Sequence, residues 1–177
     1  MSAATATHPA QAEAGVPNVN KWVIAGTVML GTIMAVLDSS IVNVALPDMT
    51  ASLGSTLEQS TWIIAGYILA NVIVMPILGL LTARFGRKRF YLFSVALFTL
   101  ASALCGMAGT LGTMVAARVL QGVGGGVLIT LAQAVIRETF PPEEQGTAMG
   151  LYGMGVVLAP AIGPTLGGWI TDNWSWP

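Results

Sequence analysis

Charge is the scarcest property of this chain. Seven Lys or Arg and eight Asp or Glu make up 8% of its 177 residues, against about 25% in soluble domains. The net charge of −1 leaves no basic surface for nucleic acid. A single cysteine, Cys105, excludes an internal disulfide and a multi-cysteine metal site, and in its apolar setting it reads as a small buried side chain. The one histidine, His8, lies in a polar tail and reads as bystander surface. The glycine run 122–126 has no preceding strand and no following Lys-Ser/Thr, so it is not a phosphate loop. No nucleophile, metal cluster or cofactor fingerprint appears, which makes an enzyme the least favoured class.

What the chain has in abundance is apolar length. Hydrophobic residues make up 54% of it, and a bilayer-spanning helix needs about 20 mainly apolar residues. Five stretches qualify, 22–46, 59–82, 90–111, 113–137 and 146–170, joined by short loops. Only helices or closed barrels span lipid, and runs this long without strand alternation choose helices. Residues 1–20, without periodicity or bulky apolar groups, are expected to form a disordered cytoplasmic tail ahead of a transmembrane domain over 21–177. The first span is too long for a cleaved signal, carries Asp38 and follows a non-basic tail. Lys21, the group Arg84, Arg87, Lys88 and Arg89, and Arg137 all fall on one side, which puts the N-terminus in the cytoplasm and Pro177 outside.

Asp38 interrupts the first span. Counted from that span's ends, it lies about 24 Å from the cytoplasmic side and about 12 Å from the outer side, within hydrocarbon. The fourth span runs inward from outside and places Arg118 about 8 Å below its outer end. Opposite charges therefore stand at similar depth. An ionisable group within a span costs a few kcal/mol and faces a partner or a water-filled path. Thr27, Gly31, Met34, Ala35, Val42 and Ala45 share the Asp38 side of their helix, while Asn43 points away. Gln121, Gly122, Gly125, Ala132 and Gln133 share the Arg118 side of theirs. Desolvation and a nearby guanidinium act in opposite directions on a carboxylate's hold on its proton, so geometry or a ligand can switch it. The competing readings are that the pair only joins two helices, or that Arg118 snorkels to outer headgroups.

In the fifth span Ala159, Gly163 and Gly167 are four apart, on a face where backbones approach closely. Pro160 and Pro164 withhold the amides that would bond the carbonyls of Val156 and Pro160, so a bend is expected there. Generic close packing explains the same face. The basic run in GLLTARFGRKRFYL reads as an orientation anchor near anionic lipid. Glu138, Glu143 and Glu144 pair with it or are solvated. Trp22, Trp62, Trp169, Trp174 and Trp176 fit interfacial anchors. Asn71 fits a hydrogen bond between helices.

Four stretches in order, LDSSIVNVALP, GLLTARFGRKR, RVLQGVGGG and the string ending GPTLGG, resemble the major facilitator superfamily, and within it the fourteen-span drug:proton antiporters of the EmrB/QacA type. The resemblance covers nearly everything after the tail. It implies an all-α membrane fold, with these five helices forming most of an N-terminal six-helix half whose first and fourth helices line a central cavity. It also implies that Asp38 and Arg118 serve proton coupling. Gly79, Arg84, Gly86, Arg87 and Lys88 would form the cytoplasmic gating loop, and Pro160, Gly163, Pro164, Gly167 and Gly168 the antiporter motif that seals and hinges the outward side. In that loop Ala83 stands where an Asp is usual, so the implied gate lacks its customary carboxylate lock.

The expected function is proton-coupled export of small amphipathic compounds from a multi-pass plasma-membrane protein, a bacterial inner-membrane one. Met34, Gln121 and Gln133 would contribute to an adaptable cavity wall, Met being suited to irregular ligands. The expected partners are the lipid bilayer, the substrate and a missing C-terminal half, with no nucleic acid. The expected cofactors are none beyond the proton as coupling ion, and no metal. Two alternatives stand: a uniporter or proton symporter of small polar nutrients, and a non-transporting membrane interaction protein whose small-residue faces serve adhesion.

Overall fold

The computed structural model describes residues 20–173. His8, the rest of the expected tail through residue 19, Trp174 and Trp176 lie outside the described residues. Asn20, counted with the tail from sequence, instead caps the first helix, its side-chain oxygen accepting from the Trp22 amide at 3.0 Å.

Among the described residues there are five helices and no strand: α1 (Lys21–Ser52), α2 (Leu57–Phe85), α3 (Arg87–Gly106), α4 (Leu111–Thr139) and α5 (Pro142–Asn173). All five are long and apolar enough to cross a membrane. The chain is an all-α multi-pass membrane protein. Thr56 and Thr110 each form a capping box, with Gln59 and Thr113, which fixes where α2 and α4 begin. Gly86 alone joins α2 to α3 at φ +80°, a left-handed conformation that side chains with a Cβ rarely adopt.

Two helix ends differ most from the sequence expectation. The first helix does not stop at residue 46 but continues through Pro47 to Ser52. Proline removes one amide donor, yet the added turn is held by packing: Met49 is buried in a cluster with Val42, Ala45, Ile63 and Met114. The third helix, expected to reach residue 111, ends at Gly106, where the Met107 amide folds back on the Ala103 carbonyl and Thr110 is already the cap of α4.

The bundle is organised around α4. Five consecutive residues, Gly124 to Leu128, are buried, so at that level this helix is enclosed on every side. Helices α1, α2 and α3 pack against it, and α5 packs against α1. The glycine run makes this approach feasible. A Cβ added at Gly122 would stand 2.9 Å from the Ala70 Cβ and 3.1 Å from the Tyr67 carbonyl carbon on α2, and one at Gly124 would stand 3.0 Å from the Phe98 amide nitrogen on α3. Overpacking at such a contact costs about 1–3 kcal/mol. Gly122→Val is therefore expected to lower the thermal unfolding midpoint of the detergent-solubilised complete gene product. Gly146→Ala, where no atom lies within 4 Å of the added carbon, is expected to leave it unchanged. The outer faces are apolar, with Leu30, Leu69, Ile73, Leu80, Phe93 and Leu100 exposed for acyl chains to cover.

Candidate functional site

Because α1 runs on to Ser52, Asp38 is deeper than the shorter span suggested. It stands 17 residues after Lys21 and 14 before Ser52, about 25 Å and 21 Å along the axis at 1.5 Å per residue. Arg118 reaches it from α4. Its Nη1 donates to Asp38 Oδ2 at 2.7 Å and to Gln121 Oε1 at 2.9 Å, while Gln121 Nε2 donates to Asp38 Oδ1 at 2.8 Å. Three side chains thus close a ring in which both carboxylate oxygens are occupied. Arg118 and Gln121 are three residues apart on one helix face, so a single rotation of α4 aims both at α1.

Neighbouring helices complete the setting. Cys105 Sγ on α3 donates to Gln121 Oε1 at 3.6 Å, and the Arg118 guanidinium carbon lies 6.0 Å from the centre of the Tyr67 ring on α2. Tyr67 Oη donates to the Ala35 carbonyl of α1 at 3.5 Å. Gln121 is wholly buried and the Arg118 side chain is 4% exposed, whereas that of Asp38 is 17% exposed. Asp38 is the open member of the ring. It faces a cleft of about 590 Å³ between α1 and α3, lined also by Met34, Leu37, Ile41, Phe98 and Thr99. Arg118 Nε is buried without a hydrogen-bond partner among the described residues. Arg118 does not snorkel; it is turned into the bundle.

The chemistry follows from this arrangement. The Asp38 carboxylate compensates the Arg118 guanidinium, and the pair joins α1 to α4. Removing one partner of a buried pair costs about 3–5 kcal/mol.

The other residues singled out from sequence are dispersed. Met34 shares the α1–α3 cleft with Asp38. Gln121, expected in a cavity wall, lies instead inside the polar ring, where its amide is consumed by Asp38 and Arg118. Gln133 is not beside Asp38: twelve residues along α4 from Gln121, about 18 Å by helical rise, its Nε2 donates to Tyr152 Oη of α5 at 3.5 Å. Among the described residues these three do not line one cleft.

In α5 the helix is continuous through Pro160 and Pro164. The Pro160 carbonyl, denied an intrahelical donor by Pro164, accepts a hydrogen bond from Ser40 Oγ of α1 at 3.3 Å. Gly163 permits this approach, since a Cβ there would stand 2.5 Å from the Ser40 Cβ. Gly167 packs likewise on Ile41. Pro160 and Gly163 thereby touch the helix that carries Asp38, two residues from it. In the basic segment a Cβ added at Gly79 would meet no atom within 4 Å, Ala83, Arg84 and Lys88 are exposed, and Arg87 forms an ion pair with Glu138 at the end of α4. Lys21 pairs with Glu144, and Trp22 packs edge-on against Phe140 at 4.8 Å. Trp62 and Trp169 are exposed. Among the described residues Asn71 Oδ1 has no hydrogen-bond partner; it is buried against Gly126.

Sequence reasoning missed Ser40, Tyr67 and Cys105. The orphaned Pro160 carbonyl was foreseeable, but its donor sits on a helix whose rotation the sequence does not give.

The four motif stretches and the α1–α4 charge pair coincide with a profile match to the Major Facilitator Superfamily over residues 28–177. The chain belongs to this superfamily. Among relatives within it, the chain is 45% identical over 149 residues to the multidrug export protein EmrB of Haemophilus influenzae, covering 83% of this chain and 29% of that protein. It is 40% identical over 155 residues to the probable multidrug resistance protein EmrY of Escherichia coli, covering 88% and 30%. It is 42% identical over 147 residues to the fatty acid resistance protein FarB of Neisseria gonorrhoeae, covering 83% and 29%. The chain thus spans less than a third of the length of these curated relatives. Membership in the superfamily points to a transporter and not an enzyme.

Proposed function

We propose that the complete gene product is a secondary multidrug exporter that expels small amphipathic organic compounds in exchange for protons across the bacterial inner membrane, with its N-terminus in the cytoplasm. The observation that carries this reading is the buried ring of Asp38, Arg118 and Gln121 between α1 and α4, open to a cleft only at the carboxylate. The names of the relatives, multidrug export and fatty acid resistance proteins, support the substrate class.

In this mechanism Asp38 takes up and releases the coupling proton. Arg118 holds its deprotonated form, and Gln121 orients the carboxylate by occupying Oδ1. Protonation frees Arg118 and loosens α1 from α4. Ser40 carries the resulting shift of α1 to the Pro160 carbonyl and so to the proline-bearing part of α5. Alternating access follows from rocking this helical unit against the remainder of the polypeptide around a midplane site. The basic loop with Gly79, Arg84, Gly86, Arg87 and Lys88 gates the cytoplasmic side, and the Arg87–Glu138 pair substitutes for the carboxylate that Ala83 does not supply.

The test is transport in vesicles containing the complete gene product under an imposed proton gradient. An amphipathic fluorescent dye is expected to move against its own gradient, and a protonophore to stop it. Uptake of polar nutrients without dye movement would favour the uniporter or symporter, and no flux of either would favour the interaction protein.

A further inference from the structure

A second cleft lies away from the polar ring, at the end of the bundle that carries the basic loop. It measures about 550 Å³ and runs between α2, α3 and α4, with Phe90, Phe93, Leu97 and Val123 among its walls and Arg84 and Arg89 at its mouth. From Arg89 to Leu97 is eight residues, about 12 Å of apolar depth below the cations. We propose that this cleft is a binding site for an anionic phospholipid, whose phosphate sits between Arg84 and Arg89 and whose acyl chain lies along Phe93, Leu97 and Val123.

Charge complementarity selects this occupant. Between Glu58 and Glu138 the sequence contains no acidic residue at all, and Ala83 stands beside Arg84. The nearest carboxylate on α4, Glu138, is taken by Arg87. Among the described residues neither Arg84 nor Arg89 has an ion-pair partner; Arg84 only lies 5.9 Å from the ring of its neighbour Phe85. Two guanidinium groups without counterions at a membrane boundary call for an anion, and their planar donor forks match phosphate oxygens. The apolar depth below them requires that the anion carry a hydrocarbon tail. A zwitterionic headgroup would bring a cation toward two arginines, and a free phosphate would leave the cleft unfilled. Basic clusters at a bilayer surface attract anionic lipid generally; here the cleft adds a place for one molecule.

The experiment is native mass spectrometry of the delipidated complete gene product, titrated with phosphatidylglycerol or with phosphatidylcholine of the same chains. Phosphatidylglycerol is expected to be retained in preference to phosphatidylcholine. The double variant Arg84→Gln/Arg89→Gln is expected to weaken it at least about tenfold, the scale of losing charge-assisted contacts. Leu97→Trp, which fills the apolar part, is expected to weaken both lipids, and Lys88→Gln, outside the lining, neither. Equal retention of the two lipids, an unaffected double variant, or an equal loss in Lys88→Gln would overturn the proposal. So would competition by inorganic phosphate at the lipid's own concentration, which marks a headgroup site alone. No retention of any lipid, the outcome if another segment of the polypeptide fills the cleft, overturns it as well.

Discussion

Asp38→Asn is expected to reduce uphill, proton-driven efflux by the complete gene product to the level of empty vesicles. Asparagine keeps the size of the side chain and can accept from Arg118 at its carbonyl oxygen, but its amide nitrogen then faces the Gln121 Nε2 donor, so one of the 2.7–2.9 Å contacts is lost. What it lacks is an ionisable group at the one member of the ring that is open to the cleft. Coupling should therefore fail before substrate recognition does, and exchange of labelled for unlabelled substrate down no gradient should persist. Asp38→Glu retains the titratable group on a longer arm and is expected to recover part of the uphill flux. That contrast separates lost coupling from lost folding, because both variants perturb packing while only one removes the carboxylate. The measurement is initial efflux rate per reconstituted protein, at matched amounts of monodisperse material.

Arg118→Met is expected to be the most destabilising single change in the bundle. The side chain is 4% exposed, bonds to both Asp38 and Gln121, and lies beside the Tyr67 ring. Its loss leaves a carboxylate facing apolar neighbours, at about 3–5 kcal/mol. Adding Asp38→Asn to Arg118→Met removes that uncompensated charge, and the double variant is expected to be more stable than Arg118→Met alone. Such non-additivity is the signature of a direct pair. Denaturant unfolding of the four proteins in detergent supplies the cycle. A double variant as unstable as the sum of the singles would mean that the two charges do not depend on each other.

Helical periodicity made the bundle's vocabulary readable but not its pairings. The apolar runs announced five spans, and the 3.6-residue repeat placed Gln121 on the Arg118 side and turned Asn43 away from Asp38, as the buried ring and the exposed Asn43 have it. A face alone does not say what it meets. Gln121 and Gln133 share a stripe of α4, yet one closes a polar ring and the other meets Tyr152 about 18 Å further along. The apolar run ended the first span at residue 46, ahead of Pro47, and tertiary packing of Met49 carries the helix on to Ser52. The Ser40 contact with Pro160 depends on two helices approaching at Gly163, a relation between segments 120 residues apart that no local pattern encodes. Glu138 could be read as a partner of the basic cluster or as solvated, and only the fold brings it to Arg87.

Coupling through Asp38, as proposed, requires that the carboxylate held by Arg118 and Gln121 change its proton content when substrate binds. Adding an amphipathic substrate to the detergent-solubilised complete gene product in weakly buffered medium with a pH-indicating dye reads that change. The wild-type protein is expected to exchange protons with the medium in proportion to substrate bound, and Asp38→Asn, binding the same substrate, to exchange none. Equal proton exchange by both proteins would show that Asp38 is not the coupling group.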